Sequence, residues 1–242
     1  MAAFLLTTTA GLIALAGGLL ALRLEAWRAW IVAFCAGALI SAALLLLLPD
    51  AIELIQRAGD DHSDKLAYFA VIAGFFSFFL LENAEPGASG PASHHAHAHQ
   101  TGIWGAAGIA LHGFIDGVAI GQAFLLSESF GWGIASAILV HKLADGVSVA
   151  GVMRGTQHSL NAARVMVVLT AVAPLAGLLL QSFVVVPPLW LGTALAWFAG
   201  IFLYLGTTSL LPAAYAATDS RTLPLAALVG VLLVSGVALT LH

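Results

Sequence analysis

The sequence predicts an all-α integral membrane protein, one bundle of eight transmembrane helices, and three observations carry that prediction. Of its 242 residues, 61% are hydrophobic and only 8% are charged, whereas a soluble domain carries roughly 25% charged residues. The mean hydropathy is +1.01. Apolar runs of about the 20 residues needed to cross a bilayer recur along the chain, and none shows the two-residue alternation of a membrane β-strand.

The runs, in order, each have a reason. The first, 4–22, begins Met1-Ala-Ala-Phe-Leu-Leu with no basic segment ahead of it, so it reads as a span and not a cleaved leader. The second, 29–49, starts behind Arg28 and ends Leu48-Pro49-Asp50. The third covers 66–82. Residues 83–100 then break the pattern with Pro, Gly, Ser and His and offer nothing to bury, which predicts a flexible linker. The remaining spans are 102–126, 131–153, 162–182, 189–211 and 222–241, joined by short connections. Residues 1–242 therefore form a single transmembrane domain. Trp27, Trp30, Trp104, Trp132 and Trp190 fall near span ends, as an interfacial belt requires.

Eight spans put alternate loops on alternate sides. One side collects Arg23, Arg28, Arg154, Arg164 and Arg221, the other Arg57 and Lys65. The positive-inside rule places the first set in the cytoplasm, with the 83–100 linker inside and both termini outside. The outer loop at 50–65 carries Asp50, Glu53, Asp60, Asp61, His62 and Asp64, an acidic vestibule able to concentrate cations. The expected setting is a multi-pass position in a bacterial plasma membrane. A net charge of −4 without a basic stripe excludes a nucleic-acid partner. The lone Cys35 allows no disulfide within the chain.

The chemistry lies in spans four and five. His112-Gly-Phe-Ile-Asp116-Gly-Val and His141-Lys-Leu-Ala-Asp145-Gly-Val share one template. A spacing of four puts histidine and aspartate on one helix face about a turn apart. Ionisable groups in a bilayer are costly enough to imply function. Two matching pairs on consecutive spans therefore predict a buried metal site of His112, Asp116, His141 and Asp145. Mixed nitrogen and oxygen donors suit Zn2+, and also serve Fe2+, Mn2+, Co2+ and Cd2+. The glycine after each aspartate, Gly117 or Gly146, frees room beside it for a ligand or a carbonyl. Gly117 and Gly121 form a small-residue stripe for close helix packing.

These residues carry a resemblance to the ZIP family of divalent-metal transporters over nearly the whole chain. His112 to Gly117 resembles the family's fourth-span motif, and His141 to Gly146 its fifth. Gly37 to Asp50, Gly74 to Glu82, Ala173 to Gly177 and Gly200 to Tyr204 resemble its second, third, sixth and seventh spans. A His-rich cytoplasmic loop between spans three and four is also a family habit. The resemblance implies a metal path between spans two, four, five and seven, movement of metal into the cytoplasm, and rigid-body motion of one helix group against another. It assigns His112, Asp116, His141 and Asp145 as transport ligands. Three departures stand out: Gly113 replaces Asn or Ser, Lys142 an acid, and Ala173 a Glu. Those positions build a neighbouring second site in members that have one, so a mononuclear site is expected here, with Lys142 a tethered cation beside Asp116 or Asp145. Asp145 also stands for Glu, and Ala144 for the usual proline.

Ser41 and Ser148 are candidates for the metal path, as are Thr207, Thr208 and Ser209, although such hydroxyls commonly bond their own helix. Glu82 and Glu85 stand where span three meets the cytoplasm. His94, His95, His97 and His99 offer weak loop sites for an exit buffer or sensor. The expected partners are the metal substrate and the lipid bilayer, a homodimer is left open, and no cofactor is implied. Metal and proton compete for the imidazoles, so acidification is expected to weaken binding. No Gly-rich phosphate loop is present, so ATP is not the expected energy source; metal gradient, potential and protons all stay open. The chain is expected not to be an enzyme. The alternative is an intramembrane zinc-dependent hydrolase with metal-activated water, which lacks a His-Glu-x-x-His motif here. A proton-conducting or sensory bundle is the third reading.

Overall fold

Inside lipid a backbone N–H finds no water, so a spanning segment must satisfy its own hydrogen bonds as a helix. The computed structural model describes residues 1–59, 63–83 and 93–241. Eight helices among them match the eight predicted spans. They are α1 (Ala2–Arg23), α2 (Arg28–Arg57), α3 (Ser63–Asn83), α4 (Ser93–Leu126), α5 (Glu128–Gly155), α6 (Leu160–Gln181), α7 (Pro188–Ala217) and α8 (Leu223–Leu241). Seven are long and apolar enough to cross a membrane, and α8 contributes a shorter apolar stretch at Leu223–Gly236. No strand occurs among the described residues. The chain is a multi-pass, all-α membrane protein.

Two helices run beyond their predicted ends. Both α2 and α7 widen into a π turn, at Ala43–Leu47 and Leu205–Leu210, just before Pro49 and Pro212. Proline removes an N–H and its ring presses on the carbonyl one turn back. A wide turn relieves that clash and lets the helix continue. Residues 50–57 are therefore helix and not the predicted outer loop, which corrects the span boundary. Gly59, with φ 83°, takes the chain out of α2.

The predicted linker at 83–100 also reads differently. Residues 84–92 lie outside the described residues, but 93–100 form the first turns of α4. The apolar part of that helix starts at Gly102, close to exposed Trp104, so the added turns precede the membrane segment. The side chains of His94, His95, His97 and His99, and those of Glu82 and Glu85, lie outside the described residues.

The helices sort into two groups. In one, α1 packs on α5 and α6, and α4 packs on α5 and α6; in the other, α2 packs on α7 and α8, and α3 on α7. The groups meet where α2 faces α5 and α4 faces α7. Small residues dominate the interior, with Ala10, Ala33, Ala36 and Ala106 fully buried, while Phe69, Ile72, Phe76 and Leu80 make an exposed stripe on α3. That inversion is expected when lipid is the solvent and close packing holds the bundle. Contact is tightest between α4 and α6, where a Cβ on Gly117 would stand 1.8 Å from the carbonyl oxygen of Pro174. Both α4 and α5 stay helical through their Asp-Gly steps, and the room beside each glycine is taken by a neighbouring helix carbonyl, Pro174 on α6 or Ala14 on α1.

Candidate metal centre

On α4, His112, Asp116, Ala119 and Ala123 fall at helical intervals along one face, and Ile134, Ile138, His141 and Asp145 do the same on α5. The first seven of these line a cavity, and Asp145 continues the α5 stripe beyond it. The two stripes meet. His112, Asp116, His141 and Asp145 are all buried and each offers a ligand atom within 4.8 Å of the others. The structure thus brings together the four residues that the repeated template singled out.

The geometry turns on one carboxylate oxygen. Asp116 Oδ2 lies 3.5 Å from His112 Nε2 and 3.5 Å from His141 Nε2. The two imidazole rings lie 5.7 Å apart at 30°. Neither ring nitrogen of His112 has a hydrogen-bond partner, although the residue is only 1% exposed. A buried polar group without a partner is costly, and one imidazole lone pair from each of His112 and His141 beside two carboxylates is a set that a divalent cation satisfies. From α7, Phe202 and Phe198 pack against the His112 ring at centroid distances of 5.0 and 6.0 Å and restrict its orientation.

Lys142 enters from the side. Its Nζ pairs with Asp116 Oδ2 and donates to Asp145 Oδ2 at 2.6 Å, with the side chain 1% exposed. It spans both carboxylates, where the sequence pointed to one or the other. Gly113 lies beside the ammonium: a Cβ there would stand 3.5 Å from Nζ, in ordinary contact, and a longer side chain would crowd it.

A cavity of about 290 Å3 leads to His112, Asp116 and His141 from one end of the bundle. Its walls come from both helix groups, with Leu46, Asp50, Glu53 and Arg57 on α2 and Pro188, Leu191 and Leu195 on α7. Of the acidic vestibule, Asp50 and Glu53 line this cavity, and Glu53 accepts from Arg57 at 2.5 Å. Asp64 is exposed at the start of α3, while Asp60, Asp61 and His62 lie outside the described residues. Gln122, which the sequence reading passed over, also lines the cavity and donates to the Val186 carbonyl at 2.8 Å. Its signal was its place on the His112–Asp116 stripe.

Behind the cluster α2 and α5 close together. Cys35 on α2 is fully buried and lies 3.2 Å from where a Gly151 Cβ would stand. Ser148 and Ser41 are buried without lining the cavity. Thr207 and Thr208 bond their own helix, donating to Leu203 and Tyr204 carbonyls.

Residues 91–241 match the family model described as ZIP zinc transporter. The chain is also 24% identical to mouse zinc transporter ZIP4 over 76% of its own length, and spans 38% of the length of that relative.

Proposed function

The chain belongs to the ZIP zinc transporter family, and from that premise we propose that it moves a divalent transition metal, foremost Zn2+, into the cytoplasm through a mononuclear centre of His112, Asp116, His141 and Asp145. The observation that carries this reading is the convergence of four buried nitrogen and oxygen donors at the foot of a cavity. A cation arriving at Asp50 and Glu53 is drawn inward by their field. At the cavity floor it exchanges water for imidazole and carboxylate donors, whose preference is for zinc and neighbouring first-row metals.

A second metal finds no added donor at Gly113 or Ala173, and Lys142 supplies a positive charge in its place. His94, His95, His97 and His99 in the first turns of α4 would buffer metal on the cytoplasmic side, and Ser41 and Ser148 would line the closed half of the route. Arginine distribution supports a cytoplasmic 83–100 segment, outer termini and a plasma-membrane setting. All four proposed donors come from one chain, so the reading does not call on a homodimer and is compatible with one.

The hydrolase reading is less well supported, because both carboxylates at the centre belong to the donor set and, among the described residues, no further acid stands there to act as a general base. Reconstitution in liposomes with a trapped fluorescent metal indicator tests the proposal. Metal entry that His112→Ala and Asp145→Ala abolish is the expected result. A tightly held metal with no flux across the bilayer would refute it.

A further inference from the structure

Lys142 is the charged group at the centre that metal coordination does not use. Its neighbours on α4 and α5 are His112, Asp116, His141 and Asp145. From α6 and α7 the centre is faced by Pro174, Phe198 and Phe202, which carry no charge. With neutral imidazoles, the two carboxylates alone would give the empty centre two negative charges, and a divalent metal would bring it to zero. With the lysine included, the empty centre carries one net negative charge and the loaded centre one net positive charge.

That difference matters because the desolvation energy of a charge in a low-dielectric interior grows with its square. Without Lys142 the loaded centre would be cheap to enclose, and the empty one four times as costly as a single charge. With Lys142 both states carry the same magnitude. Among the described residues the cavity reaches the centre from one end, and α2 and α5 close together behind it. A delivery cycle therefore encloses the centre twice, once with metal and once without. The slower of these steps limits net transport.

On the transport reading above, we propose that Lys142 is the built-in counter-charge that lets the emptied centre return, balancing the two halves of the cycle. It acts as a positioning residue through Asp116 and Asp145 and is not itself a metal ligand. Its contribution falls on net delivery, which needs the empty return. Exchange of metal for metal uses the loaded step alone.

The experiment compares radioactive Zn2+ entry into metal-free proteoliposomes with entry into vesicles preloaded with unlabelled Zn2+. Lys142→Ala is expected to lower the ratio of net entry to exchange by about tenfold or more, a factor of ten being ~1.4 kcal/mol of barrier. Lys142→Arg restores the ratio. Equal loss of both fluxes, or an unchanged ratio, would overturn the proposal and leave the transporter assignment intact. Should Lys142→Ala fail to fold, the unaltered protein carries the test through tracer exchange under an imposed membrane potential. A loaded centre with net positive charge makes exchange respond to the potential, and an indifferent exchange rate overturns the proposal. Absence of both fluxes from the folded parent would instead remove the transport reading itself.

Discussion

At the residue scale, the centre is a balance of buried charges in which each group depends on the others. Removing one partner of a buried ion pair typically costs about 3–5 kcal/mol, since the remaining charge is left uncompensated. Asp145→Ala strands the Lys142 ammonium with a single carboxylate, so a lower melting temperature in detergent should accompany the loss of metal binding. Gly113→Asn is a sharper probe, because a Cβ there would already stand 3.5 Å from Nζ and an amide beyond it would crowd the ammonium; metal uptake should fall, and recover in Gly113→Ala. Acidification from about pH 7.5 to about pH 5.5, bracketing an ordinary histidine value of about 6.5, should lower zinc affinity in equilibrium binding, as protons compete for His112 and His141. Spacing alone picked out the four candidate ligands that the fold brings together, since residues four apart share a helix face. It did not reveal that Lys142 bridges both aspartates. That depends on the reach of a flexible side chain lying beside Gly113 across the helix interface.

At the element scale, the prolines decide what reaches the metal path. Pro49 was legible as a span end, because proline usually stops a helix. The π turn before it absorbs the clash, and α2 carries Asp50 and Glu53 on to the cavity wall. One residue gained or lost in a helix rotates everything beyond it by about 100°. Pro49→Ala lets the wide turn relax to regular helix, which would swing Asp50 off the cavity. The expected result is a raised KM for metal entry at low ionic strength, with folded yield preserved. Asp50→Asn should reproduce that rise without any backbone change, and added salt should reduce the difference by screening. A KM unchanged in both variants would mean that the acidic wall plays no part in capture. The eight spans were readable from apolar length because lipid demands it. The grouping of helices was not, because sequences apolar on all sides mark no single contact face. Partner choice rests instead on backbone approaches such as Gly117 to Pro174, visible only once the helices are placed.

At the scale of the whole molecule, the metal centre belongs to one helix group and much of its lid to the other. His112, Asp116, His141, Lys142 and Asp145 ride on α4 and α5, whereas α2 and α7 supply Asp50, Leu191, Phe198 and Phe202 around them. On the proposed transport reading, metal released on the side away from the cavity has to pass the α2–α5 seam, so that seam is expected to part. Cys35 and Gly151 face each other across that seam, with 3.9 Å between the Cys35 Cβ and the position a Cβ would take at residue 151. Disulfides have Cβ atoms about 3.8 Å apart, and Cys35 is the chain's only cysteine, so no other thiol competes for pairing. In Gly151→Cys, oxidation should join the two helix groups behind the centre. Metal should still bind from the open cavity, while net entry and exchange both stop, and a reductant should restore them. Full transport by the oxidised, cross-linked protein would mean that metal leaves without separating these helices. The expected motion of one helix group against the other would then have no part in release.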